Sequence, residues 1–364
     1  MSVRVLFVDD EPNILQGLRR MLRGMRGQWE MDFAEGGEAA LAKLAERPVD
    51  AVVTDMRMPG MDGSALLGRL AEKYPGTVRF VLSGEADREA TFRTVGVSHQ
   101  FLPKPCNTEA LAEKISKCLT FRDALSAPSY RTAVSALTGL PTAPSVFASL
   151  SEALAEETPS LGRVADLFAS DPGLTAKALQ LANSAYFGVG QGVGSASQAV
   201  KLLGLDVLRP LVQDYGLAAP FADDGPVADA YARACAAAET VAEASATVAR
   251  QRGVDDDGVD RARVAGQLHN LGRLALCAGM PDAYRQALVI VESEGLAIDE
   301  AERQVFGQPH SVFGAYLASL WGLPDAVAGA IAALDHDLFG ESGLSDRLSD
   351  WIESCIDVGN GRAA

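Results

Sequence analysis

Short apolar stretches recur along the first 105 residues and alternate with longer segments of amphipathic, helical periodicity. The stretches are rich in β-branched and aromatic residues, as strands are, and occupy residues 3–8, 31–34, 50–54, 78–83 and 99–102. Strands that alternate with helices form βαβ units. The pattern therefore predicts an α/β doubly wound five-stranded parallel sheet, with helices on both faces and all strand carboxyl ends at one edge.

Polar residues stand at the ends of several of these stretches: Asp9, Asp10, Asp55, Ser83 and Lys104. Ligands bind at this edge of such sheets. Three crowded carboxylates repel one another, so they need a hard divalent cation, and oxygen ligands favour Mg²⁺. Asp55 can attack phosphorus, while the Lys104 ammonium and the Ser83 hydroxyl can hold phosphoryl oxygens. The sequence therefore predicts a phosphoryl-accepting site.

The motifs VDDEP, VVTDMRMPGMDG, VLSGEAD and FLPKP appear in this order within residues 1–122. With them, this region resembles a response-regulator receiver domain, which implies a flavodoxin-like fold. The resemblance implies that Asp10 binds Mg²⁺ directly, that Asp9 binds it through water, and that the backbone carbonyl of Arg57 completes the metal site. An aspartate at a strand end also commonly caps the next helix, and Asp10 ahead of a proline fits that role as well.

The same resemblance assigns a role to each remaining polar residue of the set. Asp55 would be the phosphoacceptor, Ser83 and Lys104 would sense the phosphoryl group, and Ser83 and Phe101 would act as the switch pair. It also implies a sensor histidine kinase or a phosphotransfer protein as partner.

The chain changes character after the receiver-like region. Residues 123–136 are rich in Ser, Ala, Pro and Thr and are predicted to form a linker. Apolar residues then recur at three- and four-residue spacing, which predicts an all-helical domain over residues 137–340. Residues 341–364 are predicted to form an amphipathic helix and tail. Packing on its own domain is one role for that helix, and homodimerisation or capture of a partner is the other.

The helical region resembles the HDOD domain, an all-α relative of the HD metal-dependent phosphohydrolases. The matching segments are LPTAPSV, ASDPGLTAKALQLANSAYFG, SASQAVKLLGLDVL, LHNLGRLAL, HSVFGAYLASLWGLP and AIAALDH. The resemblance would bring His269, His310 and His336 near one another, as three neutral ligands for a metal. Two departures stand against a hydrolase: Asn270 replaces the expected aspartate, and the family's Gly-Tyr-Pro signature is absent from the sequence.

Charge is distributed unevenly between the two regions. Residues 1–125 hold 17 Lys and Arg against 18 Asp and Glu, which leaves 15 against 30 for the remainder and a net charge of −15 there. Such a region repels phosphate backbones, so DNA binding is not expected. No run approaches 18 consecutive apolar residues and no signal peptide is evident, so we expect a cytoplasmic protein without membrane spans.

Together these features predict a phosphorelay response regulator whose HDOD domain is not catalytic and acts by binding a downstream signalling protein. Phosphorylation of Asp55 would change the contacts of the receiver with the HDOD domain or with a second receiver. Two alternatives stay open: a phosphorylation-gated metal-dependent phosphohydrolase, and an effector that binds a cyclic dinucleotide.

Overall fold

The computed structural model describes residues 3–83, 94, 96–104, 107–183, 193–213, 221 and 225–334 of the 364-residue chain. Its N-terminal part is a five-stranded parallel sheet in the order β2-β1-β3-β4-β5. The strands are β1 Val3–Val8, β2 Trp29–Ala34, β3 Ala51–Asp55, β4 Val78–Ser83 and β5 Gln100–Pro103. The accompanying helices are α1 Pro12–Met21, a 3₁₀ helix Leu22–Gly27, α2 Gly37–Glu46, α3 Gly63–Lys73 and α4 Thr108–Ala124. The predicted α/β doubly wound sheet is confirmed.

The two faces of the sheet bury alternate residues of each central strand, because successive side chains of a strand point in opposite directions. Leu6 and Val52 pack in a cluster with residues of α2 and α3. Val5, Phe7 and Val53 belong to a second cluster, which also contains residues of α1, α4 and the helical domain. The central strands β1 and β3 are therefore mostly apolar, as expected where a parallel sheet is covered on both faces.

The remainder of the described chain is helical, apart from its connections. Its helices are α5 Pro128–Ala136, α6 Pro144–Ala155, α7 Leu161–Ala169, α8 Pro172–Ala182, α9 Ala196–Leu203, α10 Leu205–Gln213, α11 Pro226–Gln251, α12 Asp256–Leu268, α13 Leu271–Gly279, α14 Pro281–Glu294, α15 Ile298–Phe306, α16 His310–Leu320 and α17 Asp325–Ala332. This confirms the all-α region that the three- and four-residue spacing predicts.

The segment predicted as a linker differs from that expectation, because α5 lies within it. Pro128 stands in the first turn of α5, where its fixed φ favours a helix and its missing N–H costs nothing. Tyr130 makes edge-on ring contacts with Phe306 and Phe313, at centroid distances of 5.7 and 5.8 Å. A nine-residue helix is too short to show a clear period, and its contacts with distant residues hold it in place.

A single glycine separates the helices α9 and α10. Gly204 has a φ of +73°, which ends α9 and reorients the chain into α10. The predicted amphipathic helix within residues 341–364 lies outside the described residues. Within the described part of the chain, no helix combines the length and the apolar character needed to cross a membrane.

Candidate functional site

Three carboxylates meet at the carboxyl edge of the sheet. Val8, the last residue of β1, pairs with Thr54, so Asp9 emerges beside Asp55, the last residue of β3. One oxygen from each of Asp9, Asp10 and Asp55 lies within 4.8 Å of the others. Asp9 and Asp55 are buried, whereas Asp10 is exposed. Strand register therefore builds the acidic cluster that the sequence predicts.

Lys104 follows the edge strand β5 and reaches the same cluster. Its Nζ lies 2.7 Å from Asp55 Oδ1 and 3.1 Å from Asp9 Oδ2. The ammonium thus bridges two carboxylates that come from β1 and β3, which are neighbouring strands. One positive charge against three negative charges leaves the group anionic, which suits both a divalent cation and the Mg²⁺-assisted chemistry of phosphate.

The loop after β3 holds the Asp55 carboxylate in one orientation. The Met56 backbone N–H donates to Asp55 Oδ1 at 2.7 Å, and the Gly63 N–H donates to the Met56 carbonyl at 2.9 Å. A Cβ on Gly63 would lie 2.3 Å from the Asp55 carbonyl oxygen, so only glycine fits there. With Oδ1 engaged by Met56 and Lys104, Oδ2 is the Asp55 oxygen best placed to attack a phosphorus atom.

Burial and charge act in opposite directions on the two central groups. Burial raises the pKa of Asp55, the hydrogen bond and charge of Lys104 oppose that rise, and Asp9 adds to it. Burial alone would lower the pKa of Lys104, but the hydrogen bond and charge of Asp55 and the charge of Asp9 raise it. Lys104 therefore stays protonated. The all-oxygen set formed by Asp9, Asp10 and Asp55 fits the ligand preference of Mg²⁺.

The other predicted receiver residues lie near this cluster along the chain. Ser83 is the last residue of β4 and pairs with Pro103 of β5; its side chain is outside the described part of the structure. Phe101 lies in β5 beside Val81 and is buried. Arg57 is exposed in the loop two residues after Asp55. The roles of Ser83 and Phe101 as a switch pair, and of the Arg57 carbonyl as a metal ligand, stay predictions.

The histidines of the helical domain occupy different environments. His269 is buried at the end of α12, with Nδ1 2.7 Å from the Gly266 carbonyl oxygen. His310 is buried at the start of α16, and its Nδ1 lies 2.7 Å from Glu302 Oε2. His336 lies outside the described residues. Within the described ranges, the only grouping of three or more potential metal-ligand residues is Asp9, Asp10 and Asp55.

Glu302 was missed by sequence reasoning, although it organises the region next to His310. It accepts hydrogen bonds from the backbone N–H of His310 and from the Tyr284 hydroxyl, and it lies 3.5 Å from Arg273 Nε. Burial would raise the pKa of Glu302, but the charge and hydrogen bonds of His310 and the charge of Arg273 lower it to about 2. The sequence carried no local signal for Glu302, because α15 also holds Asp299, Glu300 and Arg303.

A second feature that sequence reasoning missed joins the sheet to the helical domain. The backbone N–H of Arg79 donates to His99 Nδ1 at 3.0 Å, so the neutral imidazole carries its proton on Nε2, which donates to the Ser135 carbonyl at 2.8 Å. Arg79 Nη2 also donates to that carbonyl, at 3.1 Å. Arg79 is an arginine within the apolar stretch VRFVLS, and that exception to the pattern was its sequence signal.

Two glutamines extend this contact. Gln100 Nε2 donates to the Ser319 carbonyl at 2.6 Å, and Gln180 Nε2 donates to the His99 carbonyl at 2.8 Å. All of these residues except His99 lie on regular strands or helices, and all six are buried: Arg79, His99, Gln100, Ser135, Gln180 and Ser319. They form the part of the interdomain contact that lies at the amino-terminal ends of β4 and β5, opposite Asp55 along the strands.

The fold and the acidic site define a receiver domain joined to a helical output domain. Residues 5–116 match the response regulator receiver domain family, and residues 140–337 match the HDOD domain family. The second match covers more than half of the chain, so the chain belongs to the HDOD family, with a receiver in front. The resemblances carried by the sequence motifs are confirmed.

Individual relatives match the receiver region. The virulence sensor protein BvgS of Bordetella pertussis is 36% identical over 137 residues, which are 35% of this chain and 11% of that protein. The positive alginate biosynthesis regulatory protein of Pseudomonas aeruginosa is 34% identical over 117 residues, which are 32% of this chain and 46% of that protein. The chain thus spans less than half of the length of either relative.

Two solved structures are similar to parts of this chain. The MmoQ response regulator of Methylococcus capsulatus is 24% identical, covers 62% of this chain and 88% of its own, and has a TM-score of 0.46. The receiver domain of an HD domain-containing protein of Pseudomonas fluorescens is 29% identical, covers 34% of this chain and 99% of its own, and has a TM-score of 0.32.

Proposed function

We propose that this protein is a phosphorelay response regulator in which Asp55 accepts a phosphoryl group and the HDOD domain delivers the response by binding another protein. The observation that supports it best is the meeting of Asp9, Asp10, Asp55 and Lys104 at one edge of the sheet. A receiver domain implies a histidine kinase, or a phosphotransfer protein, as the donor.

In the proposed transfer, Asp55 Oδ2 forms the new bond to phosphorus while the bond from phosphorus to the donor nitrogen breaks and the donor histidine keeps the electron pair. Mg²⁺ held by Asp9, Asp10 and Asp55, with the Arg57 carbonyl, would neutralise charge on the phosphoryl oxygens. Lys104 is positioned to exchange its contact with Asp55 Oδ1 for one with a phosphoryl oxygen. Ser83 is proposed as the second contact to that group.

The interdomain contact supports a coupling between the two domains. The acceptor lies at the carboxyl ends of the strands, and β5 carries both Phe101 and Gln100, whose side chains point to opposite faces. A movement of β5 that follows phosphorylation would therefore strain the hydrogen bond from Gln100 to Ser319. Such a switch requires only a differential of a few kcal/mol between two arrangements.

A non-catalytic HDOD domain is supported by the chemistry next to the predicted histidines. Asn270 offers a neutral amide where a metal-dependent hydrolase would place a carboxylate. His310 is engaged with Glu302, and Arg273 brings a positive charge to the same place. Positive charge repels a divalent cation, so we propose that output proceeds through binding.

The test is phosphorylation by a small phosphodonor, acetyl phosphate, followed on a gel that retards phosphoproteins. We expect Mg²⁺-dependent labelling of the full chain and loss of labelling in Asp55→Asn, whose side chain has the same shape but is not a nucleophile. The matched control is Asp62→Asn, which changes a helix-capping aspartate of the same loop. Equal labelling of Asp55→Asn and the wild type would refute the assignment.

A further inference from the structure

A cavity of about 370 Å³ lies in the helical domain, and Asn270 and Arg273 line it. That volume is in the range of small-molecule sites. Its walls come from α11, α13, α14 and the start of α15, and they are mostly apolar: Ala230, Ala234, Ala237, Tyr284, Leu288, Val291 and Ile298. Arg233, Asn270 and Arg273 are the polar residues of the wall.

Asn270 is the first sign that the cavity is built for a ligand. The residue is 1% exposed, and neither Oδ1 nor Nδ2 of its side chain has a hydrogen-bond partner within the described residues. An asparagine at a helix start commonly caps the helix, but the side chain of Asn270 makes no capping bond to α13. Buried amides in proteins are nearly always hydrogen-bonded. The donor and the acceptor of the Asn270 amide are therefore both available to a ligand in the cavity.

The charge of the wall is the second sign. Arg273 faces Glu302, whose one negative charge is also shared with His310. Arg233 stands on α11, is exposed, and forms no ion pair with any residue that the structure describes. The cavity wall therefore holds two positively charged guanidinium groups, whereas Glu302 contributes one negative charge behind the wall. In a region that otherwise carries a net charge of −15, this local excess of positive charge favours an anion.

We propose that this cavity binds a small organic anion with an apolar or aromatic body. Its phosphate or carboxylate group would contact Arg233 and Arg273, its body would lie against Tyr284 and Leu288, and a polar edge would satisfy Asn270. Guanidinium groups pair well with both anionic head groups, because their donors form a planar fork. The site is separate from Asp55 and goes beyond the proposed phosphorelay function.

The test uses the full chain and saturation-transfer NMR with three probes, phenyl phosphate, phenylacetate and benzyl alcohol. Inorganic phosphate, which has no carbon-bound protons to observe, is added as a competitor. We expect saturable binding of phenyl phosphate or phenylacetate with a dissociation constant below about 10 mM. The anion that binds more tightly shows whether the cavity prefers a phosphate or a carboxylate head group. Benzyl alcohol, which has the ring without the charge, should bind at least about tenfold more weakly, as should inorganic phosphate, which lacks the ring.

Variants locate the binding. Asn270→Asp keeps the shape of the side chain and adds a negative charge, and Arg233→Gln removes an exposed positive charge; each should weaken binding by about tenfold or more. Arg285→Gln is the control, because Arg285 is an exposed arginine of α14 that pairs with Asp282 outside the cavity wall. Arg233 lies on the surface, so its variant stays informative if Asn270→Asp does not fold. No saturable binding of either anion, or equal binding by wild type and Arg233→Gln, would overturn the proposal.

Discussion

The side-chain amide of Gln180 on α8 donates a hydrogen bond of 2.8 Å to the backbone carbonyl of His99, the residue that precedes β5. The two residues are 81 positions apart in the chain and belong to different domains. Both are buried, so this bond is shielded from water. It fixes the start of β5, the strand that leads to Lys104, against the helical domain.

Gln180→Ala should lower the free energy of unfolding by about 1–3 kcal/mol, because it leaves the buried carbonyl of His99 without its partner. Chemical denaturation monitored by circular dichroism measures the change. Gln286→Ala is the control, because Gln286 is exposed on α14, and it should change stability by less than about 0.5 kcal/mol. Equal stability of the two variants would show that the bond contributes nothing.

Lys104→Ala should destabilise the Mg²⁺-free protein by about 1–3 kcal/mol, because it leaves Asp9 and Asp55 beside each other without the ammonium that bridges them. Added Mg²⁺ should restore more stability to this variant than to the wild type, because the cation replaces the lost charge. Thermal unfolding with and without Mg²⁺ measures both effects. Lys73→Ala, at an exposed lysine of α3, should show neither.

Gly63→Ala should destabilise the protein by about 1–3 kcal/mol and reduce labelling by acetyl phosphate, because the new methyl group would displace the Asp55 backbone. Gly68→Ala is a matched control on the same helix, where an added Cβ meets nothing within 4 Å. The control should be neutral or more stable by up to about 1 kcal/mol, because alanine favours a helix. The free energy of unfolding and the extent of labelling, measured for both variants under the same conditions, test the prediction.

Lys177 gives a prediction for pH. It is 3% exposed, and burial lowers the pKa of Lys177 from 10.5 to about 7. Between pH 7 and 10 the unfolded chain holds a proton on this lysine that the folded chain has lost, so the contribution of Lys177 makes stability rise with pH across that window. Below pH 7 both states are protonated and the contribution is constant.

Lys177→Met should therefore flatten the rise in unfolding free energy between pH 7 and 10. At pH 7 it should increase stability by about 1–3 kcal/mol, after the loss of the hydrogen bond to the Thr138 carbonyl is allowed for. Denaturation curves at several pH values measure the slope. Lys201→Met, at an exposed lysine of α9, should keep the slope of the wild type. An unchanged slope in Lys177→Met would contradict the lowered pKa.

The sequence by itself determined the sheet, the helical domain and the acidic cluster. The central strands are mostly apolar because helices cover both faces of the sheet, and Asp9, Asp10, Asp55 and Lys104 lie at or just after strand ends, so local patterns were enough to place them at one edge. The helical segments likewise followed from periodicity, apart from α5, whose nine residues are too few for a period to be evident.

Tertiary structure alone decided which distant residues meet. No local pattern predicts that His99 faces Ser135 and Gln180, or that Glu302 lies between Arg273 and His310, because these partners come from separate elements whose orientation is set by packing. The cavity beside Asn270 could not be predicted for the same reason, because its walls come from separate helices. A sequence shows that a polar residue occurs in an apolar segment, but only the folded chain shows whether another group satisfies it.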